Sequence, residues 1–144
     1  MIRQLTAAIG FSLIAFQASA ACTDFSGIWN GQCRDNSGHT RNVSVGIMQN
    51  GCNTVILGQR IFPVGKVIET RIPNGQYNVT YEVVNFVNNC SEMQYLYTGF
   101  AEVAGQPPIK LSTSTTYKRN GNFMISETYQ AENNFHETCQ YFQQ

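Results

Sequence analysis

Residues able to perform acid–base or nucleophilic chemistry are few in this chain. There are two histidines, His39 in or beside a predicted turn and His136 close to Glu137. A catalytic nucleophile needs a base within hydrogen-bond reach and a third group that orients the base. Glu127 and Glu137 could pair across the last predicted hairpin as acid and base, but exposed glutamates on adjacent strands are far commoner. We therefore predict that the protein is not an enzyme and has no catalytic residues.

Motifs for metals or cofactors are also missing from the sequence. The two histidines lie far apart, and no Cys-x-x-Cys pair marks a zinc site or a thioredoxin-like redox site. The chain contains neither a Gly-x-Ser-x-Gly turn nor a glycine-rich loop that would hold a phosphate. The sequence therefore predicts no metal and no cofactor.

Tyrosines are the best candidates for a binding role. The chain has seven: Tyr77, Tyr81, Tyr95, Tyr97, Tyr117, Tyr129 and Tyr141. A tyrosine combines an apolar ring with a polar hydroxyl, which suits a ligand cavity or a protein-facing surface, although it also suits plain packing in a sheet. Tyr95 and Tyr97 share one face of a predicted strand. We predict that Tyr81, Tyr95 and Tyr97 contribute to ligand binding.

The charge balance excludes one large class of partners. Nine Lys and Arg residues stand against nine Asp and Glu residues, and charged residues make up 12% of the chain. Without a cluster of Lys and Arg the protein has no basic face to displace counterions from a phosphate backbone. We predict no nucleic-acid partner.

The first twenty residues have the layout of a secretory signal peptide. Arg3 precedes an apolar run from Leu5 to Phe16, and Ala18-Ser19-Ala20 provides a small-x-small cleavage signal. The run of roughly 12 residues is shorter than the ~20 that a membrane-spanning helix needs. The sequence thus predicts residues 1–20 as a signal peptide, residues 21–144 as a single mature domain, and a secreted or periplasmic protein without a membrane span.

Five cysteines agree with an oxidising compartment: Cys22, Cys33, Cys52, Cys90 and Cys139. Because the number is odd, at least one cysteine is not part of a disulfide within the chain. Cys22 follows the predicted cleavage site after a small residue, as a lipidated cysteine does in bacterial lipoproteins, so a lipid anchor at Cys22 is one alternative. Otherwise Cys22 takes part in a disulfide and another cysteine is free.

Turn signals at short intervals separate segments that alternate with period two. Asn50-Gly51, Asn74-Gly75 and Asn120-Gly121 are typical of tight hairpin turns. Between the turns, Tyr81 and Val83 alternate with Thr80 and Glu82, as in half-buried strands. The pattern predicts an all-β protein, an antiparallel up-and-down meander of 8–10 strands closed into a small barrel. A flattened β-sandwich is the alternative.

The direction of the strands leads to a prediction for the disulfides. If every hairpin reverses the chain, the turns at Cys52 and Cys90 lie at the same end of the barrel. Closure makes the first and last strands neighbours, and these strands carry Cys33 and Cys139. We expect the pairs Cys52–Cys90 and Cys33–Cys139, although four cysteines allow three connectivities.

The segment Phe25-Ser26-Gly27-Ile28-Trp29-Asn30-Gly31 resembles the opening of the lipocalin and wider calycin barrels. In that family a Gly-x-Trp motif starts the first strand, the tryptophan packs across the closed end of the barrel, and the open end holds a small apolar ligand. The resemblance implies that Gly27 permits a close approach of the backbone and that Trp29 plugs the base of a ligand-binding barrel. No Thr-Asp-x-Tyr motif follows, and the last arginine, Arg119, precedes the final strand. The chain is more similar to compact bacterial periplasmic barrels with this opening.

Two classes of function follow from this reasoning. The first is a carrier that holds a small apolar molecule, with Trp29 at the closed end. The second is a protein-binding module, such as an inhibitor of a lysozyme-type hydrolase, that acts through hairpin loops. The loops concerned are Asp35 to Thr40 and Ala104 to Pro108. A carrier requires unfilled space between inward-facing residues, whereas an inhibitor requires a filled barrel and a rigid protruding loop.

Overall fold

A computed structural model describes residues 21–144 of the chain. The predicted signal peptide, residues 1–20, lies outside the described residues. The strands are β1 (Gly27–Asp35), β2 (Thr40–Asn50), β3 (Thr54–Leu57), β4 (Arg60–Pro63), β5 (Ile68–Arg71), β6 (Val79–Val87), β7 (Glu92–Ala101), β8 (Ile109–Asn120), β9 (Phe123–Gln130) and β10 (Phe135–Gln143). In this part of the chain no helix is long and apolar enough to cross a membrane.

All ten strands belong to one antiparallel sheet, in the order β4-β3-β2-β1-β10-β9-β8-β7-β6-β5. The first and last strands pair, with Cys33 opposite Cys139, so the break in the sheet falls between β4 on one side and the paired strands β5 and β6 on the other. We call this break the seam. There the Gly65 amide donates a hydrogen bond of 2.8 Å to the Val84 carbonyl. The sheet is therefore a nearly closed barrel, as the sequence predicts, and the sandwich is excluded.

Tight turns with left-handed backbone connect the long strands. Gly51 and Gly121 have φ angles of 54° and 61°, and both follow an asparagine as hairpin turns prefer. Along β2, Val43, Val45 and Ile47 face the barrel interior while the residues between them face solvent. The two-residue period of the sequence is thus the alternation between the inner and outer faces.

Close contact between β1 and β10 depends on Gly31. A Cβ atom at this position would lie 1.9 Å from the Gln140 carbonyl oxygen, which is far inside contact distance. The same two strands are bonded by Cys33–Cys139, whose Cα atoms are 3.9 Å apart. This disulfide is the one that the closure of the barrel predicts.

The second disulfide corrects the sequence prediction. Cys52 is bonded to Cys22 and not to Cys90, and Cys90 is free. The turns at Cys52 and Cys90 do lie at the same end, because the three sulfurs of Cys22, Cys52 and Cys90 are within 4.8 Å of one another. The prediction failed because the segment before β1 also crosses this end and brings Cys22 next to Cys52. A sulfur in a disulfide cannot carry a lipid, so this pairing is incompatible with lipid at Cys22.

The apolar core fills the end of the barrel where β1 begins, which we call the closed end. Phe25, Trp29, Val55, Met93 and Met124 are completely buried there. Phe25 precedes β1, and its amide donates a hydrogen bond of 3.0 Å to the Gln49 side chain. The chain before the first strand thus forms part of the floor of the barrel.

Candidate binding site at the barrel mouth

The opposite end of the barrel, which we call the mouth, is lined by polar side chains. Four of these side chains lie side by side on neighbouring strands, from β10 to β7. Glu137 pairs with Thr128, Thr128 with Thr115, and Thr115 with Tyr95. Paired residues of an antiparallel sheet point to the same face. Arg41, Glu82 and Arg60 extend this row through side-chain contacts. We call these seven residues the polar belt: Arg41, Arg60, Glu82, Tyr95, Thr115, Thr128 and Glu137.

Two buried glutamates hold the belt together. Glu137 is 7% exposed and accepts two hydrogen bonds from Arg41, of 2.6 Å to Oε1 and 2.8 Å to Oε2. This two-point geometry is the strongest form of an arginine–carboxylate pair. Such a pair compensates for the burial of the carboxylate, which would otherwise be costly.

Glu82 is the corresponding carboxylate at the seam. It is 4% exposed, forms an ion pair with Arg60 of β4, and accepts a hydrogen bond of 2.5 Å from the Tyr95 hydroxyl. Arg60 also donates a hydrogen bond of 3.1 Å to the Thr70 hydroxyl of β5. These contacts join strands from both sides of the seam, so the belt closes the barrel where the backbone ladder does not.

Aromatic side chains pack at the level of the belt and on its opening side. Tyr95 meets the Phe62 ring edge-on at a centroid distance of 5.7 Å, and Tyr97 meets Tyr77 at 6.5 Å. Burial, together with the hydrogen bond to Glu82, raises the pKa of Tyr95 above its usual value. Burial likewise raises the pKa of Tyr97. Both tyrosines are therefore neutral hydrogen-bonding groups at physiological pH.

Solvent reaches the interior through this end. Tyr95, Tyr97, Thr113 and Thr128 all face inward, yet none of them is fully buried. Inward-facing residues at the closed end, such as Trp29 and Met93, have no exposed surface. The mouth therefore presents partly exposed polar and tyrosine side chains above a fully buried apolar core.

The predicted binding residues occupy three different environments. Tyr95 and Tyr97 line the mouth from one face of β7, whereas Tyr81 lies on the outer face against Phe100, at a centroid distance of 6.0 Å. Trp29 lies at the closed end, where its indole Nε1–H donates a hydrogen bond of 2.9 Å to the Phe25 carbonyl. The structure therefore brings only Tyr95 and Tyr97 together.

Arg119 covers Trp29 at the closed end of the barrel. Its guanidinium carbon lies 5.1 Å from the centre of the indole ring, which is the geometry of a cation–π contact. Arg119 belongs to β8 and not to the final strand, yet it takes the position over the tryptophan. The closed end is thereby sealed by Phe25 and Arg119 together.

Sequence reasoning did not identify the charged members of the belt. In β6, Glu82 lies on the same face as the buried Val84, between the outward-facing Tyr81 and Val83. An acidic residue on the apolar face of a strand was the available signal. Arg41 and Glu137 are 96 positions apart in the chain. Only the pairing of β1 with both β2 and β10 reveals that they are neighbours.

Neither of two cysteine-containing groups with ligand geometry offers a metal site in this oxidation state. One contains Cys22, Cys52 and Cys90, and the other contains Cys33, Glu137 and Cys139. Each includes a disulfide, whose sulfurs are not thiolates and do not act as metal ligands in that form.

Comparison of the chain with protein-family models, with curated proteins and with solved structures gave no match in any of the three. The architecture itself, an all-antiparallel and nearly closed barrel of ten strands, is compatible with a calycin-like barrel. A small barrel of this kind is compatible with a binding protein, and its disulfides fit an extracellular or periplasmic location.

Proposed function

We propose that the protein is a secreted or periplasmic binding protein, not an enzyme, and that it holds one small molecule in the mouth of its barrel. The observation that supports this role is the partial exposure of Tyr95, Tyr97, Thr113 and Thr128, which all face inward. Barrels of this size can enclose a single small ligand. Binding sites are commonly concave, with apolar walls and a few polar groups that fix orientation.

The belt refines the chemistry of the ligand. A purely apolar molecule would leave the hydroxyls of Tyr97 and Thr113 without partners and would therefore bind poorly there. Each carboxylate of the belt is already paired with an arginine, so the belt has no net charge. The ligand we propose has an apolar body that packs against Tyr95 and Tyr97, together with a polar group that reaches the belt.

A native mass spectrum of the protein purified from its own host tests the carrier role first. We expect an adduct of a few hundred daltons that is released on denaturation. The bare mass of the chain in every preparation would contradict a tightly held ligand.

The location of the site is tested with a fluorescent probe. The probe is 1-anilinonaphthalene-8-sulfonate, which has an apolar aromatic body and a polar group. Tyr97→Ala should weaken probe binding at least about fivefold, which corresponds to roughly 1 kcal/mol. Tyr81→Ala is the matched control, because Tyr81 is also a partly buried strand tyrosine but lies on the outer face. Equal effects of the two substitutions would show that the probe does not bind in the mouth.

A second candidate function, protein binding, is favoured by the rigidity of the β1–β2 loop. Asp35 Oδ1 accepts hydrogen bonds from the Ser37 amide, the Ser37 hydroxyl and the His39 amide, at 2.9, 2.6 and 2.9 Å. Asn36 fastens the loop to the neighbouring hairpin through the carbonyls of His136 and Asn134. A loop held in this way loses little conformational entropy when it binds a partner.

A groove of about 650 Å³ adjoins this loop on the outer face of β2, β1 and β10. Its lining residues are mostly polar: Gln32, Arg34, Thr40, Asn42, Thr138 and Gln140. Loop and groove together offer a continuous surface to a hydrolase of the lysozyme type. The test is a peptidoglycan turbidity assay with purified lysozyme, in which Ser37→Ala should relieve inhibition and Tyr97→Ala should not.

A further inference from the structure

Three sulfur atoms meet at the closed end of the barrel. The sulfurs of Cys22, Cys52 and Cys90 all lie within 4.8 Å of one another. Cys22 and Cys52 form a disulfide, and Cys90 has the one free thiol among residues 21–144. Cys90 is only partly buried, so its thiol lies beside a disulfide at a place that solvent can reach.

Three separate segments create this meeting point. Cys22 precedes β1, Cys52 lies in the β2–β3 turn, and Cys90 lies in the β6–β7 turn. The Thr23 amide donates a hydrogen bond of 2.9 Å to the Cys90 carbonyl, and the Thr23 carbonyl accepts one of 3.0 Å from Gln49. These hydrogen bonds hold the segment of Cys22 against both turns, independently of the disulfide.

The backbone of the β6–β7 turn is unusual. Asn88, Asn89 and Cys90 have φ angles of 51°, 55° and 65° in succession. Asparagine adopts this left-handed region more readily than most residues, whereas cysteine has no such preference. Strained backbone of this kind persists where the surrounding structure fixes it and is common at functional sites. Here it presents the Cys90 sulfur to the disulfide.

We propose that Cys22, Cys52 and Cys90 form a thiol–disulfide exchange centre with two alternative disulfides. The Cys90 thiolate attacks Cys52 Sγ, the Cys52–Cys90 bond forms, and the Cys22–Cys52 bond breaks. The electron pair of the broken bond remains on Cys22, which leaves as a thiolate and takes up a proton from solvent. One disulfide and one thiol are present before and after, so the step needs neither an oxidant nor a reductant.

The two disulfides have different structural consequences. Cys22–Cys52 ties the start of the chain to the β2–β3 turn, on one side of the seam. Cys52–Cys90 joins the β2–β3 turn to the β6–β7 turn and therefore links the two sides of the seam covalently. Cys22–Cys52 closes a loop with a sequence separation of 30, and the alternative closes a loop of similar length, so loop entropy does not strongly favour either. Exchange therefore transfers the covalent constraint from the N-terminal segment to the seam and exposes a new thiol at Cys22.

The deciding experiment maps the disulfides of the purified protein and of two variants. Each protein is held at pH 8 without added thiol, quenched in acid, treated with N-ethylmaleimide and digested without reduction. We expect wild-type protein to be labelled at both Cys90 and Cys22 in different molecules, with one label per chain. Cys90→Ser should retain Cys22–Cys52, and Cys22→Ser should form Cys52–Cys90 and have no free thiol.

The Cys33–Cys139 disulfide serves as the internal control for folding, because it forms only when β1 and β10 pair. The proposal is overturned if Cys22→Ser contains Cys33–Cys139 but is labelled at both Cys52 and Cys90. It is equally overturned if wild-type protein is labelled at Cys90 alone after prolonged incubation. The wild-type measurement decides the matter even if the Cys22→Ser variant does not fold.

Discussion

Inward-facing side chains at the closed end and at the mouth of the barrel differ in both chemistry and exposure. At the closed end, Trp29 and Met124 have no exposed surface, and apolar contacts determine the packing. At the mouth, Glu82 and Glu137 are nearly as buried, but they are bound to arginines whose side chains are 46% and 62% exposed. Apolar burial supplies most of the stability of a small barrel, whereas such ion pairs add little net stability. The mouth therefore has polar groups that stability alone does not require, which is why we assign recognition to it.

The largest effect should come from removing the plug of the closed end. Trp29→Ala is expected to lower the free energy of unfolding by about 3–5 kcal/mol, because a large, fully buried side chain is replaced by a cavity. Tyr97→Ala, at the mouth, should lower it by less than about 1 kcal/mol, because the removed ring is partly exposed. Urea unfolding measures both values. Similar losses for the two variants would show that the ends are not energetically distinct.

A smaller loss is expected when the belt is broken at the seam. Glu82→Ala leaves the Tyr95 hydroxyl and Arg60 without their partner. Because Arg60 is half exposed and can be hydrated, we expect a loss of about 1–3 kcal/mol, below the value for a fully buried pair. Glu127→Ala is the control, since Glu127 faces solvent beside Lys118 and should cost at most about 0.5 kcal/mol. If Glu82→Ala and Glu127→Ala lower the free energy of unfolding equally in urea, the belt does not hold the seam.

Alkaline pH should destabilise both ends through their tyrosines. Burial raises the pKa of Tyr117 near the floor, and burial with the Glu82 contact raises that of Tyr95 at the mouth. Because the pKa of each tyrosine is higher in the folded state, the neutral hydroxyl contributes fully to the free energy of unfolding below the unfolded pKa near 10. This contribution is lost as the pH rises towards and through the folded pKa. Urea midpoints measured from pH 9 to 11 should therefore fall. Tyr95→Phe should flatten the decline, and an unchanged slope in that variant would contradict the burial of this hydroxyl.

Acid should have the smallest effect, and the β1–β2 loop at the rim of the mouth is one place where it can be measured. Hydrogen bonds, above all from the Ser37 side chain, hold the pKa of Asp35 below its usual value near 3.8. Because the pKa of Asp35 is lower in the folded state, its carboxylate stabilises the loop fully above the unfolded pKa. This stabilisation disappears as the pH falls through the folded pKa. Below about pH 4 the amides of Ser37 and His39 should lose protection from hydrogen exchange. Asp35→Ala should produce the same loss at neutral pH, and unchanged protection in that variant would show that Asp35 does not hold the loop.

Sequence patterns predicted the fold better than the site, for physical reasons. The hairpin turns and the alternation are local properties, so the meander, its strand number and the pairing of Cys33 with Cys139 could be predicted. The pairing of Cys22 with Cys52 could not, because the segment before β1 has no strand pattern and is held by individual hydrogen bonds, one from the Gln49 side chain and one to the Cys90 carbonyl. The belt brings together residues such as Arg41 and Glu137 that are far apart in the chain, so it is visible only once the register of the barrel is known.

The contact between Arg119 and Trp29 also gives the protein an optical label. Trp29 is the only tryptophan in the chain, and it is fully buried under a guanidinium group. Excitation above 295 nm therefore reports on the closed end alone, whereas the near-ultraviolet absorbance also contains the tyrosines of the mouth. Events at the two ends can thus be timed separately in a single sample, without an attached dye or an engineered residue.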